Sequence, residues 1–154
     1  QPAGGEVRVS RVPCELPLEK QPTLADMQAM AASDDAFNKA FAIWTLARCP
    51  DGHVPTTLPY EAQLFTLGNE VSVLALPGEV VSELGYAARQ TVPRPTLFSG
   101  YSNGLPCYVP NARIRRQGGY EAGLRSNEFF GLPGWLAQES ELAILAAVEQ
   151  ACGQ

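Results

Sequence analysis

Histidine is nearly absent from this sequence, and closely paired cysteines and long apolar runs are missing altogether. The 154 residues include one histidine and four cysteines, and no two cysteines form a Cys-x-x-Cys pair, which excludes the usual signature of a structural zinc site. No apolar stretch approaches the roughly 20 residues needed to span a bilayer. The 11 basic residues against 16 acidic ones give a net charge of −5, which argues against nucleic acid as a partner.

The beginning of the chain also lacks familiar features. Residues 1–5 show no basic-then-apolar signal-peptide pattern, and the first residue is not methionine. We therefore expect the chain to be a processed piece or a fragment of a longer protein. The lone histidine, His53, lies in the turn-rich loop 49–55, where the simplest expectation is a solvated side chain.

The composition that is present predicts a folded protein. Hydrophobic residues make up 45% of the chain and charged residues only 18%, which supports a buried core. The sequence shows no internal repeat and no low-complexity segment. We expect residues 1–154 to form a single structural unit.

Residues 68–85 predict a buried strand that leads into a helix. The apolar run at 71–76 is typical of a strand covered on both faces, and Pro77-Gly78 ends it. Apolar residues then recur at helical spacing, so Glu79 is expected in the first turn of a helix, where the helix dipole favours a negative charge. Glu79 would either bind a cation there or merely complete the N-terminal turn.

The rest of the chain alternates between strand-like and helix-like patterns. These predict a strand over 6–12, a proline-rich loop over 13–22, helices over 24–32 and 34–48 with Thr23 or Ser33 as caps, a hairpin over 60–76 that turns at Gly68-Asn69, and a strand over 96–101. The strand–helix–strand order predicts an α/β fold, with a central, mostly parallel or mixed sheet flanked by helices.

Three groups of side chains are assigned to helix faces by their spacing. They are the aromatic stripe of Phe37, Phe41 and Trp44, expected to face the core rather than to stack on a ligand; the arginines 113, 115 and 116, expected to form a solvated basic face rather than an anion site; and Leu142, Leu145 and Ala146, expected to be the packing face of the last helix.

The residues that could take part in catalysis or metal binding lie where two strands lead into loops. If the strands are parallel, Glu79 and Tyr108 lie at the same end of the sheet, where strand–helix–strand units carry their sites. Glycines at 118, 119 and 123 allow Tyr120 to approach the same place.

The motifs LPGE, GYSNGLPCY and GGYEAG, taken together, resemble the closing portion of the catalytic domain of neutral ceramidases. The resemblance covers residues 55–130. It implies that the chain is the C-terminal part of a larger catalytic domain of a zinc-dependent amidohydrolase, which splits ceramide or a related N-acyl lipid into a fatty acid and an amine. A lipid substrate also implies peripheral contact with a membrane.

The resemblance assigns roles residue by residue. Glu79 and Tyr108 match the family's glutamate and tyrosine zinc ligands, and Tyr120 matches a tyrosine near the substrate carbonyl. The zinc would activate water for attack on the amide, and Tyr120 could steady the oxyanion. The family's histidine ligands and acid–base histidine come from upstream segments, so we expect the isolated chain to be inactive and the upstream part to be its partner.

Two other interpretations remain open. The chain could be a non-catalytic binding or scaffold module that keeps the fold without a working metal site. Alternatively, His53, Cys107, Glu79 and Tyr108 could build a self-sufficient metal site. We expect an extracytoplasmic location, secreted or periplasmic, and in that setting favour a Cys14–Cys49 disulfide among the three pairings that four cysteines allow.

Overall fold

The chain folds as strands and helices that alternate over most of its length. A computed structural model describes residues 4–123 and 125–153. Its strands are β1 (Val7–Glu19), β2 (Thr57–Leu67), β3 (Val71–Ala75), β4 (Glu79–Val80), β5 (Thr96–Ser99), β6 (Tyr108–Val109) and β7 (Trp135–Leu136). Its helices are α1 (Leu24–Ala31), α2 (Ala36–Arg48), α3 (Ser82–Thr91), α4 (Ala112–Gln117), α5 (Ser126–Phe129) and α6 (Ser140–Cys152), with a 3-10 turn at Tyr120–Ala122. Within the described ranges, none of the helices has the length and apolarity needed to cross a bilayer.

Five strands form a mixed sheet in the order β5-β3-β2-β1-β7. Strands β3 and β5 pair in parallel through the crossover helix α3, and the other neighbours are antiparallel. The expected hairpin is confirmed, since β2 and β3 are antiparallel around Gly68, which has a φ of 58°. The predicted α/β fold with a mixed sheet flanked by helices is also confirmed.

Strand β1 is longer than the alternating pattern predicts, because it continues through two prolines. The amide of Leu18 donates to the carbonyl of Thr56 at 2.8 Å, which fixes the side of β1 that faces β2. Pro13 and Pro17 are an odd number of residues away from Leu18, so their nitrogens point away from β2 and no ladder bond is lost. The expected loop over 13–22 is therefore wrong for residues 13–19.

The core lies on one face of the sheet, beneath α3 and α6. Buried side chains of alternate strand residues, among them Val12, Leu64 and Leu74, form a cluster with Ile144 and Val148 of α6. Helix α6 therefore packs through its face of Ile144, Ala147, Val148 and Ala151. The prediction for this helix is wrong for Leu142, which is 69% exposed, and for the exposed Ala146, whereas Leu145 does pack against the core. A helix that is apolar on most sides does not reveal which face will be buried.

The opposite face of the sheet carries a row of apolar side chains. Val9 is the register partner of Phe65, Phe65 of Val73, and Val73 of Leu97, so the row crosses four strands. Val9 is 49% exposed and Leu97 64% exposed. We call these four residues the open apolar row.

The N-terminal helix pair is capped by side chains. Thr23 and Asp26 form a reciprocal capping box at the start of α1, which confirms one of the two expected caps. Asp35, and not Ser33, caps α2 by accepting from the amide of Asn38 at 2.8 Å. The aromatic stripe of α2 is buried only in part, since Phe41 is 6% exposed but Trp44 is 39% exposed.

Arg115 is buried, although the sequence pattern predicts it on a solvated basic face. It is 7% exposed, donates through Nε to the carbonyl of Leu136 at 2.8 Å, forms an ion pair with Glu19, and stacks on Trp135 with 4.4 Å to the ring centroid. Arg113 pairs with Glu83 and Arg116 remains exposed. The prediction of a basic face is thus wrong for Arg115, because a guanidinium can be buried where every donor finds a partner.

All four cysteines are free thiols. The expected Cys14–Cys49 disulfide is therefore not formed. Burial raises the pKa of the Cys14 thiol to about 11 and that of the Cys107 thiol to about 12. Both groups consequently stay protonated and unreactive near neutral pH.

Candidate active site

Glu79 lies in a strand and not in the first turn of a helix. Its amide donates to the carbonyl of Cys107 at 3.0 Å, and β4 thereby pairs in parallel with β6 as a separate two-stranded sheet. Helix α3 begins only at Ser82, after Val81. A two-residue strand leaves no periodic signal in the sequence. The helical spacing of the residues after Glu79 therefore wrongly predicts that the helix already includes Glu79.

The turn before Glu79 is fixed by close backbone packing. Gly78 has a φ of 83°, and a Cβ at this position would lie 2.8 Å from the carbonyl oxygen of Cys107 and 2.8 Å from a methyl group of Val109. The Tyr60 hydroxyl donates to the carbonyl of Pro77 at 2.7 Å. Only glycine fits this approach of β4 to β6, so the Pro77-Gly78 pair sets the position of Glu79.

Tyr108 is the register partner of Glu79 across the β4–β6 pair. Its phenol therefore lies next to the Glu79 carboxylate. Desolvation of its hydroxyl raises the pKa of Tyr108 well above the usual value, and the hydrogen bonds to Glu79 and Tyr120 raise it further.

The backbone of Tyr108 is held by a buried amide that the sequence pattern did not reveal. Asn127 is fully buried, and its Oδ1 accepts the amide proton of Tyr108 at 3.0 Å. Asn127 lies 19 positions later in the short helix α5, so neither periodicity nor motif spacing points to it. It orients Tyr108 from behind the β4–β6 pair.

Tyr120 completes the cluster from a third segment. Its ring lies against that of Tyr108, with 5.1 Å between the ring centroids and 76° between the ring planes. Gly118 and Gly119, with φ of 77° and 97°, lead into the turn that carries it, and Ser126 Oγ donates to its carbonyl at 2.8 Å. Tyr120 is 61% exposed, so it borders the site on the solvent side.

Tyr101 is a fourth member that the motif comparison did not single out. Its phenol lies near the Glu79 carboxylate, although 60% of the residue is exposed. It lies two residues after the end of β5, so the rule that sites gather at the carboxyl ends of parallel strands could have identified it. Partial desolvation raises the pKa of Tyr101, and the hydrogen bond and negative charge of Glu79 add to the shift.

The oxygen donors of Glu79 and Tyr108 suit a cation such as zinc, which accepts carboxylate and other anionic oxygen ligands. They are too few to form a complete set. Within residues 4–123 and 125–153, no three His, Cys, Asp or Glu side chains lie close enough together to hold a metal ion. A metal site there requires further ligands from another part of the protein.

The self-sufficient metal site is contradicted by the same geometry. His53 is exposed, and its Nδ1 lies 3.2 Å from Oδ2 of Asp51 in the loop after α2. Cys107 is fully buried beneath the β4–β6 pair. The structure thus brings Glu79, Tyr108 and Tyr120 together, while His53 and Cys107 do not join them in a set of metal ligands.

An apolar groove adjoins the tyrosine cluster. It is lined by Phe37, Phe41 and Trp44 of α2 and by Phe129 and Phe130 from the α5 region. The ring of Phe130 lies 6.0 Å from that of Tyr108, and the ring of Phe129 lies 4.4 Å from that of Phe37. We call these five residues the aromatic groove.

Comparison with known proteins gives no family assignment. No protein-family model matches the sequence, and no curated protein matches it.

Proposed function

We propose that the chain is the C-terminal part of the catalytic domain of a zinc-dependent amidohydrolase that resembles neutral ceramidases. Its substrate is ceramide or a related N-acyl lipid, which it hydrolyses to a fatty acid and an amine. The observation that carries the proposal is the pairing of Glu79 with Tyr108 across one parallel strand pair, with the ring of Tyr120 packed against that of Tyr108. Three separate segments of the chain supply these groups.

Each residue of the cluster has a distinct role in the proposed reaction. Glu79 and Tyr108 would hold the zinc together with histidines from the upstream part of the domain. The bound zinc supplies Lewis-acid activation of water and of the amide carbonyl. The exposed hydroxyl of Tyr120 donates a hydrogen bond to the carbonyl oxygen as negative charge develops on it.

The aromatic groove supports an apolar substrate. It begins beside Tyr108 at Phe130 and continues to Phe129, which is 66% exposed. An acyl chain laid along these rings would bury apolar surface on both sides. Exposed Ile43 and Phe129 nearby fit the proposed peripheral contact with a lipid surface.

The open apolar row supports a partner in the same domain. Its four side chains lie side by side across β1, β2, β3 and β5, and such a face is normally covered by another layer of structure. The upstream, histidine-bearing part of the catalytic domain is the proposed cover. Glu79 and Tyr108 would then lie where the two parts meet.

The test is amide hydrolysis by the full-length protein, measured as release of fatty acid from an N-acyl-sphingosine. Glu79→Gln and Tyr108→Phe should reduce the rate to background because each removes a zinc ligand. Tyr120→Phe should lower kcat by roughly 10²-fold with little change in KM, as expected for loss of an oxyanion donor. Tyr86→Phe is the matched control, since Tyr86 is also 60% exposed but lies on α3.

The same assay distinguishes the proposed enzyme from a non-catalytic module. Undiminished hydrolysis in both Glu79→Gln and Tyr108→Phe would reject the assignment of the site. If the full-length protein folds but does not bind zinc and does not hydrolyse the amide, the result would instead favour a binding or scaffold role.

A further inference from the structure

Glu128 brings a negative charge to the lining of the aromatic groove. It lies among the five rings that define the groove. It also lines a neighbouring hollow, which shares Phe41 with the groove and is bounded by Lys20 and Trp135. The side chain is half-buried. Its carboxylate therefore stands where two hollows meet.

The carboxylate of Glu128 has no hydrogen-bond or ion-pair partner within the part of the chain that the structure describes. Two neighbouring cations are engaged elsewhere. Arg125 donates through Nη2 to Oδ2 of Asp35 at 3.1 Å, and the Nζ of Lys20 lies 4.1 Å from the centroid of the Trp135 ring. Burial raises the pKa of Glu128, the positive charge of Arg125 opposes this shift, and the negative charge of Asp35 adds to it. An apolar ligand that covers this carboxylate would remove its water without supplying a substitute.

The rings of the groove already attract cations from this chain. The guanidinium of Arg48 lies 3.8 Å from the centroid of the Trp44 ring, and that of Arg125 lies 5.2 Å from the centroid of the Phe37 ring. The face of an aromatic ring is electron-rich, so it attracts a cation placed above it. Both arginines lie outside the lining of the groove, so the hollow beside the rings is left for a ligand.

From these observations we infer that the aromatic groove binds an organic ammonium group, held by the rings of Trp44 and Phe129 and by the carboxylate of Glu128. An ammonium group would neutralise the carboxylate, while apolar substituents on its nitrogen would cover the rings. The groove encloses about 410 Å³, which lies within the range of ligand pockets, about 300–1,000 Å³.

The proposed function gives this site a role in the choice of substrate. An acyl chain that runs from the tyrosine cluster along the rings also passes Glu128. A plain hydrocarbon chain would desolvate the carboxylate, whereas a chain with an ammonium group would pair with it. Glu128 then favours substrates whose acyl part carries an ammonium group, a consequence that rests on the proposed function.

The first test requires neither metal nor catalysis. Tetramethylammonium and the uncharged tert-butanol, which have similar shapes, are titrated into the 154-residue chain, and NMR follows the indole N–H signal of Trp44. Tetramethylammonium should bind about 5-fold more tightly than tert-butanol, because ring faces and a carboxylate both favour the cation. Equal affinities for the two compounds would overturn the inference.

Two variants locate the preference in the groove. Glu128→Gln keeps the shape of the side chain and should remove most of the difference between the two compounds, whereas Glu149→Gln, at an exposed position of α6, should retain it. Phe129→Leu keeps apolar surface and should weaken the binding of tetramethylammonium alone. Phe129 is 66% exposed, so its substitution leaves the fold intact and provides a test that does not depend on Glu128→Gln. A preference that survives either Glu128→Gln or Phe129→Leu would contradict the site.

The second test concerns hydrolysis by the full-length protein. Two N-acyl-sphingosines of equal chain length are compared, one of which carries an ammonium group at the end of its acyl chain. The parent should show a kcat/KM about 10-fold higher for the ammonium-bearing substrate, and Glu128→Gln should remove this preference. A parent that prefers the plain chain would overturn the role in substrate choice. If Glu79→Gln hydrolyses both substrates at the parent rate, the proposed function fails, while the titration with tetramethylammonium still decides whether the groove binds an ammonium group.

Discussion

Glu79 and Tyr108 are neighbours because a single register brings them together. Each stands at the first position of a two-residue strand, and the pairing is fixed by hydrogen bonds that the amides of Glu79 and Val81 donate to the carbonyls of Cys107 and Val109. Side chains of register partners in a parallel pair project to the same side of the sheet. The strand register alone therefore brings together a carboxylate and a phenol that are 29 positions apart in the sequence. A shift of one residue would separate them.

Gly78 allows the close backbone approach of β4 to β6 on which this register depends. We expect Gly78→Ala to destabilise the chain by about 1–3 kcal/mol from backbone strain alone. The contact with the Cys107 carbonyl, 2.8 Å from an added Cβ, should increase the loss. Urea unfolding measures the change in free energy.

Gly118→Ala is the matched control for this substitution. Gly118 has a similar φ of 77°, but an added Cβ would meet nothing within 4 Å. Gly118→Ala should therefore lose less stability than Gly78→Ala. Equal losses would show that the packing of the Gly78 turn on β6 contributes nothing.

Among the structural elements, the sequence predicts those with long periodic patterns and misses the short ones. The β2–β3 hairpin, the crossover to β5 and the cap at Thr23 all carry local signals and are confirmed. Strand β4 and strand β6 have two residues each, and their pairing depends on tertiary contacts that no periodicity records. The sequence thus predicted that Glu79, Tyr108 and Tyr120 lie close together, which the geometry shows, but it missed the strand conformation that aligns Glu79 with Tyr108 and the contact from Asn127.

Arg115 shows how tertiary contacts overrule a local pattern in α4. We expect Arg115→Ala to destabilise the chain by about 2–3 kcal/mol, because the carbonyl of Leu136 loses its donor and the packing on Trp135 is lost. Arg116→Ala, at the next position and exposed, should change the free energy of unfolding by less than about 0.5 kcal/mol. Urea unfolding measures both changes. Similarly small effects of the two substitutions would show that the buried contacts of Arg115 do not stabilise the chain.

The contact between α3 and α4 should respond to pH through Glu83. The hydrogen bond from Arg113 lowers the pKa of Glu83, and the bond from Asn111 adds to this effect. Because the folded pKa lies below the ordinary value of 4.5, the contribution to stability is complete above that pH. It is lost as the pH falls through the folded pKa.

Thermal melting between pH 6 and pH 3 measures this linkage. The parent chain should lose more of its melting temperature over this range than Glu83→Gln, and high salt should narrow the difference because the pair is exposed. Identical acid dependence in the two proteins would show that the Glu83 contact does not couple the helices.

For the whole molecule, the asymmetry of the sheet is the most informative feature. One face is covered by α3 and α6, and the other carries the open apolar row. We expect Leu97→Lys to reduce the binding of a hydrophobic dye by the isolated chain, and to weaken the stability of the full-length protein because the row would meet the upstream part there.

Leu142→Lys is the control for Leu97→Lys. Leu142 is 69% exposed and Leu97 is 64% exposed, but Leu142 lies on α6 and outside the open apolar row. Its substitution should leave both dye binding and full-length stability unchanged. A full-length protein that tolerates Leu97→Lys as well as Leu142→Lys would show that the row is not covered in the assembled domain.

The most direct test of the account is the location of zinc in the full-length protein, determined by anomalous X-ray scattering at the zinc edge. We expect one zinc ion per chain within coordination distance, about 2.0–2.2 Å, of oxygen from Glu79, with Tyr108 and upstream histidines as further ligands. A zinc peak that contacts neither Glu79 nor Tyr108 would contradict the proposed site.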